Sequence, residues 1–568
     1  MSRLDPTVTE FIRRAAGSDR YAGYLRDTLV ALIRFNTAPD ADLAASAARE
    51  REMFDWIERQ VAEIHGENAV VERVPIDPAI ATDPDYSLPG YAADAHGRVP
   101  AVDRVYAGRT NLQVLIPANT PASRPGVVLH AHADVVPPWF GPRVDGLRIY
   151  GRGACDNKAQ IALLLVQLRL IKELEQHLGR SATAGRAYQF TLDEEIGGNG
   201  SLSMTTNSRF SGAPVIVHEC TDLVPYCGHR GAVWYRCRLS AGNSGAASAV
   251  EIFPFVVLAL EEEGRKLRDE TKHPLFTPAH VQTAHGILGP FGSAPAVVCD
   301  HVAIEVSARS KANPERVGMK VIEFFDEAIG YYTRLYGDKT REKDPGTGLP
   351  KVARHFSVKV EPTPDTTNLR IDIYGKSGHL AAVSECDGAI TKAAFLLSGL
   401  IKAAVKFPQV QATGRLAGST DDGREVILEG GQGFTPVHAM ADVQARMIAA
   451  ARKGVQKYCK HRGRPYDDSM VEMSFDRLHN DAYADSPDVA PMQALMAACT
   501  ALGQPAPKAV AWEVSCDARI YHKKGHPTAI FGAGKLEHAH ADDEHIDLPD
   551  LQKALAISTL ATWALIEA

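Results

Sequence analysis

Apolar residues recur at helical spacing early in the chain: Leu25, Leu29, Leu32 and Ile33, then Phe54, Ile57, Val61 and Ile64, with a polar turn from Asn36 to Asp40 between them. A period near 3.6 predicts two amphipathic helices, each burying one stripe. Between Asp77 and Tyr106, Pro78, Pro84, Pro89, Gly90, Gly97 and Pro100 interrupt any period and predict an elaborated loop. Beyond it the pattern changes. Residues 111–116 and 126–130 are short, continuous apolar runs between turn residues, as strands buried on both faces require. Residues 157–178 read as a helix, and 188–192 and 214–217 as further strands. Strands alternating with helices predict an α/β fold around a mainly parallel sheet, with ligands at the carboxyl ends of its strands.

From about Gly231 an internal repeat emerges. Residues 239–262 (LSAGNSGAASAVEIFPFVVLALEE) resemble residues 373–402 (IYGKSGHLAAVSECDGAITKAAFLLSGLIK): a strand, a G-x-S-G turn, then an apolar helix. Residues 302–309 (VAIEVSAR) resemble 439–446 (AMADVQAR), and each run leads into a helical pattern at nearly the same distance from its turn. A polar linker with Lys339 to Lys343 and Pro345 to Gly348 separates the copies, which predicts two related α/β subdomains at about 232–335 and 353–465. Residues 470–568 return to the first style, with a helix at 487–502, a strand at 528–531 and a closing helix from Leu548. The expected organisation is one domain in two parts, 1–230 and 469–568, with 231–468 inserted between them.

Composition narrows the function. A net charge of −7 gives no basic excess to neutralise phosphates, which disfavours nucleic acid and favours a small-molecule or peptide substrate. Nine scattered cysteines do not form a disulfide pattern and point to a reducing compartment. The N-terminal stretch lacks the apolar core of a signal peptide, and no run approaches the ~20 apolar residues that cross a bilayer; the reading is cytoplasmic, with no membrane partner.

The chemistry concentrates in VVLHAHADVVP with His132 and Asp134, GRGACDNK with Asp156, LDEEIGG with Glu194 and Glu195, and FGAGKLEHAHADDEH with His538, His540 and His545. Singly, each has an ordinary explanation: a core histidine, a helix cap at Asp156, a solvated charge at Glu194. Together, in this order and each near an expected strand end, imidazoles and carboxylates make a site for Zn²⁺ or a similar divalent ion. Adjacent glutamates diverge on a strand, so Glu194 and Glu195 are expected to serve different roles.

The ordered motifs HADVVP, IYGRGACDNK, LDEEIGG, VIVHECT, GKSGH, SCDAR and FGAG…AHADDE resemble the cocatalytic di-zinc peptidases, the family of glutamate carboxypeptidase, succinyl-diaminopimelate desuccinylase, aminoacylase and carnosinase, with an architecture similar to dipeptidase V. The resemblance implies a phosphorylase/hydrolase-like catalytic domain with an inserted α+β lid, a duplicated ferredoxin-like unit. It implies two Zn²⁺, replaceable by Co²⁺ or Mn²⁺, bridged by Asp156, with His132 and Glu219 at one ion and Glu195 and His540 at the other. Asp222 is a rival to Glu219, and His538 and His545 are expected to be bystanders. Glu194 becomes the general base and Asp134 the carboxylate behind His132. The resemblance also gives His379 of GKSGH the oxyanion and Arg446 the substrate carboxylate. Ala246 stands in the first copy where the second has His379, so a monomer whose doubled lid serves one active site is expected. One departure is Gly433, where relatives often carry Asn three residues before the proline matched by Pro436; others are the long loop 77–105 and linker 339–351. The implied activity is hydrolysis of an amide bond in a small peptide, with an N-acyl amino acid deacylase or a catalytically silent binder as alternatives.

Overall fold

The computed structural model describes the chain apart from residues 1–3, 95–97, 119–124, 207–209, 242–247, 290, 293, 309–312, 345–346, 363–366, 404–423 and 506–507. It divides into two compact units. The first comprises residues 1–231, 274–276 and 477–568, and the second residues 232–273 and 277–476.

The first unit is built on a six-stranded sheet in the order Val70–Pro75, Thr110–Ile116, Arg186–Thr191, Val127–His132, Val215–Val217, Thr528–Ile530. The last four run parallel to one another, and the first two are antiparallel to their neighbours. Every residue of Val127–His132 and Arg186–Thr191 is buried, which is why both read as unbroken rather than alternating runs. Val70–Pro75 mixes exposed and half-buried positions, as an edge strand does, and its pattern is too polar to announce a strand. The two amphipathic stripes form Asp19–Ile33 and Leu43–His65, each capped by a side chain, Ser18 and Asp42. The central helix Lys158–Leu178 packs on Val127–His132, Asp19–Ile33 and the closing helix Leu548–Ile566. Among the described residues, the loop after Asp77 holds 3-10 turns and the short helix Val102–Val105.

Register places the site. His132 lies opposite Thr191 and His130 opposite Val217, so three parallel strands end together and release their following residues at one edge of the sheet.

The second unit spans both proposed copies, but one expected match fails: residues 302–308 lie on the strand His301–Ala308, whereas 440–446 open the helix Met440–Arg462, and the strand before that helix is Glu425–Phe434. Each copy runs strand, helix, strand, helix: Gly231–Ser240, Ala249–Glu270, His301–Ala308 and Pro314–Tyr336, then Thr367–Tyr374, Ala389–Ala403, Glu425–Phe434 and Met440–Arg462. The copies interleave. Gly231–Ser240 shares a sheet with Glu425–Phe434, Thr283–Leu288 and Val471–Ser474, whereas His301–Ala308 pairs with Thr367–Tyr374, whose other neighbour is Phe356–Pro362. Each sheet thus combines strands of both copies. Helices Ala249–Glu270 and Met440–Arg462 pack closely, and a Cβ at Gly454 would stand 2.7 Å from the Phe255 carbonyl oxygen. The first copy's G-x-S-G turn, with Ala246, and Arg309 lie outside the described residues.

Candidate metal centre

His132 is the last residue of its strand, and Asp134 follows two places on; both are buried. Asp156 precedes Asn157, the N-cap of Lys158–Leu178. Glu194 and Glu195 open a 3-10 turn after Arg186–Thr191, and Glu219 follows Val215–Val217. His540 comes from the loop before His545–Asp547 and has a left-handed backbone, φ 62°.

Asp156 faces both imidazoles. Its Oδ1 lies 3.0 Å from His132 Nε2 and its Oδ2 3.3 Å from His540 Nε2. His540 Nε2 also meets Glu195 at 3.0 Å, and His132 Nε2 lies 3.9 Å from both Glu194 and Glu219. On the far side of its ring, His132 Nδ1–H donates to the Asp134 carbonyl oxygen at 3.1 Å and lies 3.5 Å from the Asp134 carboxylate. That turns Nε2 toward Asp156. Asp134 also accepts the backbone N–H groups of Glu194 (3.2 Å) and Glu195 (3.1 Å), so one buried carboxylate orients both the imidazole and the glutamate turn.

Electrostatics follow burial and crowding. Burial, with Asp517, Glu219 and Glu195 nearby, pushes the Glu194 carboxyl well above its ordinary range despite His132. Glu219 is raised well above its range in the same way and Glu195 less far, each against a neighbouring histidine. Burial opposes a charged His132, but the hydrogen bonds to Asp134 and Asp156 prevail and hold it well up. Asp156 goes the other way: burial is outweighed by His132 and His540, and its carboxyl is lowered.

Two buried networks that the sequence did not announce hold these segments. Glu544 Oε1 accepts from the backbone N–H groups of Gly153 (3.0 Å), Cys155 (2.9 Å) and Asp156 (2.9 Å), while its Oε2 takes Arg152 at 2.7 Å. Asp193, just before the glutamates, has φ 63°, a conformation a non-glycine residue holds only when its surroundings enforce it. Arg109 enforces it, donating to Asp193 at 2.8 Å and to Glu50 at 2.7 and 2.9 Å, with the Tyr91 and Tyr106 hydroxyls donating to Asp193. Glu544 and Asp193 sit inside the ordered motifs; nothing in the sequence marks Arg109 or Glu50.

Of the remaining expected residues, Asp222 and His538 belong to the first unit and His379 and Arg446 to the second. Asp222 is exposed, beside Lys535, and His538 stacks on His545 with centroids 4.0 Å apart. His379 belongs to the second unit, on a two-residue strand paired with Val297–Val298. Its turn is held by Lys376 N–H donating to the Asp387 carbonyl at 2.9 Å, and Asp387 is itself buried against Lys392 at 2.7 Å. Arg446, also in the second unit, donates twice to Glu270 (2.7 and 2.9 Å) and once to Glu263 (2.7 Å).

The donor set fits a divalent cation. Ligand atoms of His132, Asp156 and Glu195 lie within 4.8 Å of one another. Glu219 Oε1 is buried without a hydrogen-bond partner, as a ligand oxygen would be. Imidazole nitrogen with carboxylate oxygen is the mixture that zinc-like ions take.

The chain belongs to peptidase family M20/M25/M40, which matches residues 128–563. It is 32% identical over 166 residues to acetylornithine deacetylase of Vibrio parahaemolyticus, 27% of this chain and 42% of that protein. It is 30% identical over 146 residues to a probable carboxypeptidase of Aspergillus terreus, 24% of this chain and 32% of the relative. The match thus spans less than half the length of either relative. The fold is shared with human carnosine dipeptidase 1 (TM-score 0.54, 12% identity, 99% of this chain and 100% of that one) and with the Saccharomyces cerevisiae di-peptidase Dug1p (TM-score 0.53, 11% identity, 99% and 98%). Among the described residues, no helix is long and apolar enough to cross a membrane.

Proposed function

We propose that the chain is a di-metal hydrolase that cleaves an amide bond beside a free carboxylate in a small peptide, a dipeptidase by first choice. The observation that carries this reading is Asp156, with one oxygen toward His132 and the other toward His540, as a carboxylate shared by two ions requires. His132 and Glu219 would hold one ion and Glu195 and His540 the other; zinc is the default, with Co²⁺ or Mn²⁺ able to use the same donors. When bound, such ions acidify water and polarise the scissile carbonyl. Glu194 takes the water proton and delivers it to the leaving nitrogen, a task suited to a carboxyl raised by burial. Asp134 keeps His132 in the tautomer that presents Nε2. His379 steadies the oxyanion, and Arg446 takes a substrate carboxylate by exchanging it for Glu270.

An N-acyl amino acid deacylase is the second reading, favoured by the 32% identity to an acetylornithine deacetylase. Nine unpaired, buried cysteines suit a reducing cytoplasm, and the doubled repeat suits a monomer. The test is hydrolysis of dipeptides, N-acetyl and N-succinyl amino acids by the purified chain, with and without chelator, beside an elemental metal count. Chelator-sensitive cleavage with about two ions per chain is expected, and the preferred substrate class separates the two readings. Cleavage indifferent to chelator, or no cleavage by protein carrying two ions, overturns the proposal.

A further inference from the structure

The turn at 375–387 carries His379 and is closed at its neck by more than its own backbone. Lys376 and Asp387 exchange two main-chain hydrogen bonds, at 2.9 and 3.0 Å. A Cβ at Gly375 would stand 1.9 Å from the Asp387 carbonyl oxygen, so the chain crosses itself where only glycine fits. Behind the crossing lies Lys392, wholly buried. It donates to the Tyr374 carbonyl at 2.5 Å, on the entering strand, and to the Asp387 carboxylate at 2.7 Å, on the leaving side. The other carboxylate oxygen of Asp387 takes the Tyr332 hydroxyl at 2.6 Å. Every polar group of Asp387 is thereby used, as a buried carboxylate requires.

The first copy supplies part of this brace. Tyr332 lies on Pro314–Tyr336, and Tyr336 of the same helix donates to Glu261 at 2.8 Å. Glu261, on Ala249–Glu270, also accepts Thr391, the neighbour of Lys392, at 3.1 Å. Residues 296–300 add further ties: the Ala296 carbonyl accepts Leu380 N–H at 2.7 Å, Val297 pairs with His379, and the Asp300 carbonyl accepts Gly375 N–H at 2.6 Å. Leu380, next to the histidine, packs in one small cluster with Ala284 and Val298. The copy whose own turn has Ala246 in place of a histidine therefore supports the turn that has one. A buried ion pair is seldom worth more than well-packed apolar residues of the same volume, so stability is a weak reason for Asp387 and Lys392. A satisfied buried network does specify one arrangement.

We propose that Tyr332, Asp387 and Lys392 are positioning residues for the hydrolytic reaction: they hold the neck of the 375–387 turn so that His379 keeps one placement, and the first copy has the task of bracing the second. The proposal rests on the reading of His379 as the oxyanion donor and deepens it by naming what holds that residue. A donor held in place before the reaction needs no reorganisation when the charge develops. A displacement of about 1 Å can cost about 10²-fold in rate.

The test uses the full-length, metal-loaded protein and its best dipeptide substrate. Tyr332→Phe removes one hydroxyl and keeps the ring that packs on Tyr336 and Phe395; Lys392→Met removes the ammonium. His379→Ala is expected to lower kcat by about 10²- to 10³-fold, the weight of one oxyanion donor. Tyr332→Phe should lower kcat by about 10-fold, and Lys392→Met by more, with KM within about 2-fold of the wild type. Placed on His379→Ala, neither should lower kcat further by more than about 2-fold, because both act through that ring. A residue that only stabilises the fold would add its loss to that of His379→Ala, or shift Tm alone. Full kcat in Tyr332→Phe, or additive losses, overturns the brace and leaves the oxyanion reading standing; full kcat in His379→Ala overturns that reading and the brace with it. NMR of protein carrying isotope-labelled histidine reads placement without activity. The His379 signal, assigned by its absence from His379→Ala, should be single in the wild type and broadened or doubled in Tyr332→Phe and Lys392→Met. If the wild type cleaves nothing, the hydrolase reading fails and this signal decides: a change in Tyr332→Phe supports the brace, and an unchanged signal overturns it. If Lys392→Met does not fold, Tyr332→Phe alone gives the answer.

Discussion

Glu194 and Glu195 are adjacent in sequence and unlike in surroundings. Glu195 is paired with His540, whereas Glu194 stands 3.9 Å from His132 with its carboxyl raised by burial. Divergence of neighbouring side chains along a strand predicts two roles. The divergence is real, but it arises on a 3-10 turn that Asp193 and Asp134 hold from behind. If Glu194 carries the proton, Glu194→Gln lowers kcat by about 10²- to 10⁴-fold, the usual weight of a general base, and leaves the metal count unchanged. Loss of metal from that variant places Glu194 among the ligands instead. At this scale the local pattern marked His132, Glu194 and Glu219 by the strands they end or follow, while Asp156 before a helix and His540 in a loop stood out only by the motifs around them. Arg109 was not legible, since its partners Glu50 and Asp193 are 59 and 84 residues away and no local period marks such a pairing.

Elements were legible where a period is strong. The stripes of Asp19–Ile33 and Leu43–His65 and the unbroken runs of Val127–His132 and Arg186–Thr191 declare themselves, whereas the edge strand Val70–Pro75, with no buried position, does not. The interleaving in the second unit was also beyond the sequence, because a repeat fixes the order of strands along the chain and not their neighbours in a sheet. The turn that carries Asp156 depends on a distant element, the segment that contributes Glu544. Glu544→Ala would leave three backbone N–H groups without their acceptor and Arg152 without its carboxylate, and an unsatisfied buried donor is costly. The turn should loosen, and metal affinity should fall by about 10- to 100-fold, as when other outer partners of ligands are removed. Competition with a metallochromic chelator measures this, and unchanged affinity shows that the turn keeps its shape without Glu544.

At the scale of the whole molecule, the break in pattern near Gly231 and the return of strand and helix signals after the repeat made an inserted domain readable. Reuniting the two flanks in one sheet follows from Thr528–Ile530, which lies parallel to Val215–Val217. The flanks meet again at the metal centre, where His540 from the last part of the chain approaches Asp156 and Glu195 from the first. These donors are assembled only in the folded chain, so an ion that binds them stabilises the fold by mass action, about 4 kcal/mol when free metal exceeds its Kd a thousandfold. For a chain of this size that is a Tm shift of a few degrees. Chelator should therefore lower Tm, and added Zn²⁺ should restore it. Glu194→Gln should respond like the wild type, because its ligands are intact, while Asp156→Asn, which weakens the oxygen pair facing both histidines, should respond little. A wild-type shift in Asp156→Asn would mean that the stabilising ion sits elsewhere, and the shared-carboxylate assignment would fall with it.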